Sequence, residues 1–161
     1  MGIDPGSHIM GWGLIEKKSN SMIVPLKYGC ITSRPHVSSS DLLLNISNAL
    51  SKIIEENHPD CLAIEQLFFF KNQKTVIGVA EARGVAILVC AQKGVPVFEY
   101  TPLQIKQALT GYGRADKKQI QEMVRLSCNL ATCPKPDDAA DALAAAICHA
   151  QTNYDLIKGK G

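Results

Sequence analysis

"MGIDPGSHIMGWGLI" (Met1–Ile15) sets the interpretation of this chain. An acidic residue, Asp4, ends a short apolar run, Pro5-Gly6 follows, and a second apolar run is spaced by Gly11 and Gly13. The pattern predicts two strands joined by an Asp-Pro-Gly turn. A lone carboxylate is costly to bury in a core strand, so Asp4 demands an explanation from elsewhere in the sequence.

Outward from this stretch, strands are expected at about 1–5, 10–16 and 22–32, the second turn being the polar run Lys17–Ser21. Short connections make these three antiparallel neighbours. Ser38–Asp41 offers caps for a helix reaching about Asn57, with Leu43, Ile46, Leu50, Ile53 and Ile54 at helical spacing. Asp60–Gln66 is a fourth strand run and Val95–Tyr100 a fifth, separated by a helix over about 72–93. Helices are expected at about 102–109, 116–130 and 137–152. A strand reached through a helical crossover lies parallel to an earlier one, which sets the fourth strand beside the first. The fold class is therefore α/β, and no repeat or linker divides it: a single domain over 1–161, with a loosely ordered tail expected after about 153. Only three residues precede Asp4, so the first strand is expected to be short or to begin upstream.

The 161 residues carry 46% hydrophobic and 20% charged side chains, which suits a globular domain with its own core. There is no membrane-length apolar run and no export-type leader pattern, so a cytoplasmic location and no membrane partner are expected. Cys30, Cys61, Cys90, Cys128, Cys133 and Cys148 make no C-x-x-C pair and are read as reduced thiols. A net charge of +2 confines any nucleic-acid surface to a local basic patch.

The parallel pairing puts Asp4 and Glu65 at the carboxyl ends of adjacent strands, about 4.8 Å apart. The run "PKPDDAADALAAAICHA" (Pro134–Ala150) adds Asp138 and Asp141, three apart on one helix face, among alanines small enough for close approach to a sheet. Taken singly, each acid has an ordinary role as turn cap, strand end or first-turn helix residue. Gathered at one sheet edge they repel, by about 4 kcal/mol for two charges about 4 Å apart at an effective dielectric of about 20. A divalent cation removes that penalty. With oxygen ligands only, the ion would be hard: Mg²⁺, or Mn²⁺ as substitute. Such sites act on phosphates, two ions serving an in-line displacement, and with no phosphate-cradling glycine loop the natural substrate is a nucleic-acid backbone.

The ordered set "GIDPGS", "GWG", "AIEQLFF.KN", "ARGVA", "PVFEY.P...K", "G.G.ADKKQIQ.MV" and "DDAADALA" resembles the RuvC family of Holliday-junction resolvases from residue 2 to about 150. The resemblance implies a ribonuclease H-like fold, a mixed five-stranded sheet flanked by helices, and acidic metal positions at Asp4, Glu65, Asp138 and Asp141. It also implies a homodimer that nicks four-way junction DNA symmetrically and leaves 5′-phosphate and 3′-hydroxyl ends. Mg²⁺ is the implied cofactor, with two ions expected per site, and RuvA and RuvB are the implied partners in branch migration. Some members carry histidine at the position of Asp138.

Phe68 heads a run of three phenylalanines that cannot all face one core. By resemblance it is the residue that probes a splayed base. Asp116 and Gln119 form a capping-box pattern, which puts Lys117 and Lys118 in a first helical turn, a setting that favours bound phosphate. Lys106 and Lys117 are expected to contact phosphate near the cut, and Arg114 and Lys118 extend the DNA-binding surface. The helix "VIGVAEARGVAILVCA" (Val76–Ala91) is apolar almost all round, with Gly78, Ala82 and Ala86 at four-residue spacing, and is expected to meet a second copy. The competing interpretations are a ribonuclease H-like nuclease acting on RNA, a non-catalytic junction binder, and an actin-type ATPase for which the chain is too short.

Overall fold

Capping side chains and glycine turns cut the apolar runs into the elements of a layered α/β fold. The computed structural model describes residues 1–18, 22–34, 37–67 and 73–152. Strands β1 (Gly2–Asp4), β2 (Ile9–Lys17) and β3 (Ile23–Thr32) lead into α1 (Ser39–Asn57) and β4 (Leu62–Glu65). Then come α2 (Gln73–Gln92), β5 (Val97–Tyr100), α3 (Pro102–Thr110), α4 (Lys117–Ser127) and α5 (Asp137–Gln151). Phe68 and the tail after 152 lie outside the described residues.

Local chemistry fixes the helix starts. The Ser38 hydroxyl accepts from the Asp41 amide at 3.1 Å to open α1, and the expected Asp116/Gln119 capping box opens α4. A second box, Thr101 with Gln104, opens α3 and was not anticipated. Helix α4 is shorter than expected, because Cys128 leaves the helical conformation and Asn129 turns left-handed at φ 49°.

The sheet order is β3-β2-β1-β4-β5. β1 pairs antiparallel with β2 and parallel with β4, and β5 continues parallel beside β4. Ile3 partners Ile64, so the next residue on each strand, Asp4 and Glu65, emerges at the same end. Alternation then assigns the faces. Ile3, Met10, Leu14, Leu62 and Ile64 join one core with α1 and α2, while Ala63, Tyr100 and Ile105 join the other with α3, α4 and α5. Asp4 and Glu65 fall on this second face. In α1 the innermost row is Leu42, Ile46, Leu50 and Ile54, with Leu43 and Ile53 only flanking it.

Helix α5 lies unusually close to the sheet, and the glycines are the reason. A Cβ at Gly11 would sit 1.9 Å from the Asp138 carbonyl oxygen, and one at Gly2 would sit 2.0 Å from that of Ala142. On the helix side, Ala139, Ala140, Ala142, Ala144, Ala145 and Ala146 are all buried. The glycine spacing in the opening stretch is thus the imprint of the helix that carries Asp138 and Asp141.

Helix α2 corrects one expectation. Ala82 and Ala86, read as a surface for a second copy, are fully buried in the chain's own core, and Gly78 faces Ser7. The outward stripe is different: Ile77 and Leu88 are 66% and 56% exposed, Gly84 between them faces open space, and exposed Glu81 shares the same face.

Candidate active site

Three elements bring the acids together. The parallel β1/β4 register delivers Asp4 and Glu65 side by side, and the close docking of α5 lays its first turns over them. The electrostatics confirm the convergence. Burial, followed by the charges of Asp141, Glu65 and Asp138, pushes the Asp4 carboxyl up to about 7. Burial and then Asp141 raise Glu65 as well, against the opposing pull of Lys106. Asp141 is likewise raised, by burial, although Lys117 counters it. These side chains share one field.

Lys117 is the structure's own counter-charge. Its Nζ lies 3.2 Å from Asp141 Oδ2 and 3.4 Å from Asp137 Oδ2. Partial burial lowers its proton affinity, but the attraction of Asp141 and Asp137 outweighs this and holds the ammonium above its ordinary value. Lysine at a helix start opposes the macrodipole. Here carboxylates at the start of the neighbouring α5 hold it in place.

Two shallow clefts meet at Glu65. One, of 190 Å³, is lined by Glu65, Pro102, Lys106, Lys117, Ile120 and Asp141. The other, of 260 Å³, is lined by Asp4, Pro5, Glu65, Gln66, Leu67 and Pro102. A larger concavity, 640 Å³, lies at the far end of the sheet and contains none of the four acids. A pair of open clefts suits a strand passing across the surface better than an enclosed small molecule. Among the described residues, no three acidic, histidine or cysteine side chains are already placed so that together they could hold a metal ion.

Of the residues singled out in the sequence, Asp4, Glu65, Asp138, Asp141, Lys106 and Lys117 are brought together. Arg114 and Lys118 are exposed and line neither cleft. Two contributors went unanticipated. Asp137, which sequence alone explains as a macrodipole residue, shares Lys117. Arg83 of α2 donates from Nε to the Glu65 carbonyl at 3.3 Å and pairs through Nη2 with Glu99 Oε2 at 2.6 Å. It ties α2 to the backbone that presents Glu65, and its one signal in the sequence was a charge interrupting an apolar helix.

Comparison with known proteins gives a consistent result. The family described as crossover junction endodeoxyribonuclease RuvC matches residues 1–149. The crossover junction endodeoxyribonuclease RuvC of Desulfitobacterium hafniense is 53% identical over 152 residues, which is 94% of this chain and 92% of the relative. The Thermus thermophilus RuvC structure superposes with a TM-score of 0.86 at 31% identity, covering 98% of this chain and 95% of that one. T. thermophilus RuvC in complex with a Holliday junction substrate gives 0.85 at 28% identity, covering 97% and 94%.

Proposed function

The chain belongs to the RuvC family of crossover junction endodeoxyribonucleases, and we propose that it resolves four-way DNA junctions by paired nicks in strands of like polarity. The observation that carries this is the convergence of Asp4, Glu65, Asp138 and Asp141 on one sheet edge, flanked by Lys106 and Lys117. A similar protein has been seen with a Holliday junction.

The donor chemistry fits a hard cation. Every acid at the site offers oxygen, and an Asp4 carboxyl driven to about 7 by its neighbours marks a cluster short of positive charge. Mg²⁺ keeps several waters and takes only one or two carboxylates directly, so an open array suits it better than a closed cage. Asp4, Glu65, Asp138 and Asp141 are the proposed ligands, for two Mg²⁺ ions or for Mn²⁺ in their place. When bound, the metal supplies a water acidified toward hydroxide and compensates charge on the phosphate. Asp4 and Glu65 sit on the sheet and fix one wall of the site, while α5 supplies the other. Lys106 and Lys117 orient the scissile strand through its phosphates, and hydrolysis leaves 5′-phosphate and 3′-hydroxyl ends.

Two cuts need two sites. The outward stripe of α2, Ile77, Gly84 and Leu88, supports a two-fold homodimer, because an isologous contact would relate two active sites as the junction's strands are related. Family membership also supports action alongside RuvA and RuvB.

The test compares a labelled four-way junction, a linear duplex of the same sequence and an RNA–DNA hybrid, with and without Mg²⁺. Metal-dependent, ligatable nicks in the junction alone are expected. Equal cutting of the linear duplex, or preferential cutting of the hybrid, would sink the proposal.

A further inference from the structure

Beside the candidate active site, α4 borders a second groove that the proposed chemistry does not use. It has a volume of 470 Å³, and its lining includes Tyr112, Ala115, Lys118, Gln119, Glu122 and Met123. Tyr112 is 58% exposed, yet its backbone is held firmly. The Thr110 hydroxyl accepts from the Tyr112 amide at 3.1 Å and shares its one proton between the Lys106 and Tyr112 carbonyls, each at 2.8 Å. On the two sides, Gly111 caps α3 in the left-handed conformation, and Gly113 packs so tightly on Leu103 that a Cβ there would sit 2.2 Å from Leu103 Cδ1. The ring is thus presented to solvent from a fixed base, which lowers the entropy lost when it binds something.

We propose that this groove takes one unstacked nucleobase of the junction, on the strand whose phosphate lies at the acids, with the base stacked on Tyr112. This rests on the junction-nuclease function proposed above. The two acids of the lining, Asp116 and Glu122, are offset by Lys118 within it and by Arg125 and Arg114 beside it, so the groove does not repel DNA. The acids on the rim are already engaged: Asp116 Oδ1 accepts from the Gln119 amide at 2.9 Å, and Glu122 is held by Arg125 at 2.6 and 2.9 Å. Lys118 contributes a positive side chain to the lining, and exposed Arg114 belongs to the same loop as Tyr112. The groove and the active-site cleft both draw on the first turn of α4. Lys117 and Lys118 are successive residues in the first turn of α4, one directed to Asp141 and the other to the groove. Within the groove the Met123 thioether offers apolar contact to the base.

The experiment uses Asp4→Asn chain, to separate binding from cutting, and junctions carrying 2-aminopurine at successive positions on either side of the crossover. One position flanking the cut is expected to lose fluorescence on binding. Tyr112→Ala in the same background should abolish that change and weaken junction binding about tenfold, within the range for base–aromatic stacking. Its salt dependence should stay the same, because no phosphate contact is removed. Tyr112→Phe should restore both signals. If Tyr112→Ala leaves every 2-aminopurine response and the affinity as they were, the groove proposal is overturned while the nuclease function stands. If the unmodified chain cuts no junction in Mg²⁺, both are overturned.

Discussion

The Lys117 ammonium reaches across from α4 to Asp141 on α5 at 3.2 Å, so the site holds an internal cation against the same acid that is proposed to hold metal. Lys117 therefore has two tasks, charge compensation in the free protein and phosphate contact in the complex. Lys117→Glu should weaken junction binding and lower the slope of log affinity against log salt by about 0.9, the value for one phosphate contact. A titration of binding at several salt concentrations measures this, and an unchanged slope removes Lys117 from the DNA contacts.

Asp4→Asn and Glu65→Gln keep shape and hydrogen-bonding capacity but remove charge from the centre of the cluster. Each should lower the single-turnover cleavage rate at least about a thousandfold, in line with the loss of an ion that activates water. Junction affinity should stay within about twofold, because the lysines carry the phosphate contacts. Gel-shift and cleavage assays on the same preparations decide the matter. Unimpaired cutting by either variant removes that acid from the site.

The raised Asp4 pKa also predicts how stability follows pH. In the unfolded chain this carboxyl ionises at about 3.9, whereas in the fold it holds its proton up to about 7. Between those values the native state binds more protons than the unfolded one, so without metal, stability falls as pH rises across that window. Thermal unfolding should show a lower Tm at pH 8 than at pH 5. Added Mg²⁺ should raise the Tm at pH 8 and have little effect at pH 5, because protons and metal compete for the same oxygens. Asp4→Asn should flatten the pH trend. Cleavage should rise with pH through the same region, with a midpoint that moves lower as Mg²⁺ increases.

The contact between β2 and α5 gives a purely steric prediction. In Gly11→Ala, the new methyl would meet the Asp138 carbonyl at 1.9 Å, against backbone that cannot swing aside. Overpacking of this kind costs about 3 kcal/mol, or a drop of about 10 °C in Tm for a domain of this size. Because the carbonyl belongs to Asp138, any relief of the clash moves the helix that carries two of the proposed metal ligands, so cleavage should fall further than stability alone explains. Circular-dichroism melting and cleavage at a temperature well below the transition separate the two effects.

Much of this was legible in the sequence because periodicity and crossover handedness leave few arrangements open. Alternation and the short turns placed β1, β2 and β3, and the crossover rule placed β4 beside β1, which sufficed to pair Asp4 with Glu65. What escaped were contacts between elements distant in the chain. Nothing near Arg83 shows that its guanidinium reaches the Glu65 carbonyl, since that depends on the angle at which α2 crosses β4 and β5. The same limit misled on α2. Small residues at four-residue spacing mark a close approach, but whether to a second copy or to the chain's own core is decided by the rotation of the helix, which an all-round apolar sequence leaves unmarked.

That rotation leads to the final prediction. With Ala82 and Ala86 committed inward, a second copy has Ile77, Gly84 and Leu88 to dock against, and Gly84, with no neighbour within reach of a Cβ, lets another helix come near. This face already carries exposed Glu81, and a further acid at Leu88 would lose hydration on association and meet the like charges of the second copy. Leu88→Asp should therefore shift the protein from dimer to monomer in sedimentation at micromolar concentration. Since Leu88 is 56% exposed in the single chain, the substitution should leave the stability of the monomer within about 0.5 kcal/mol of its original value. On a four-way junction the paired cuts should then give way to single, uncoupled nicks, seen as nicked rather than resolved product. A Leu88→Asp chain that stays dimeric and still resolves junctions would place the two-fold contact elsewhere on the molecule.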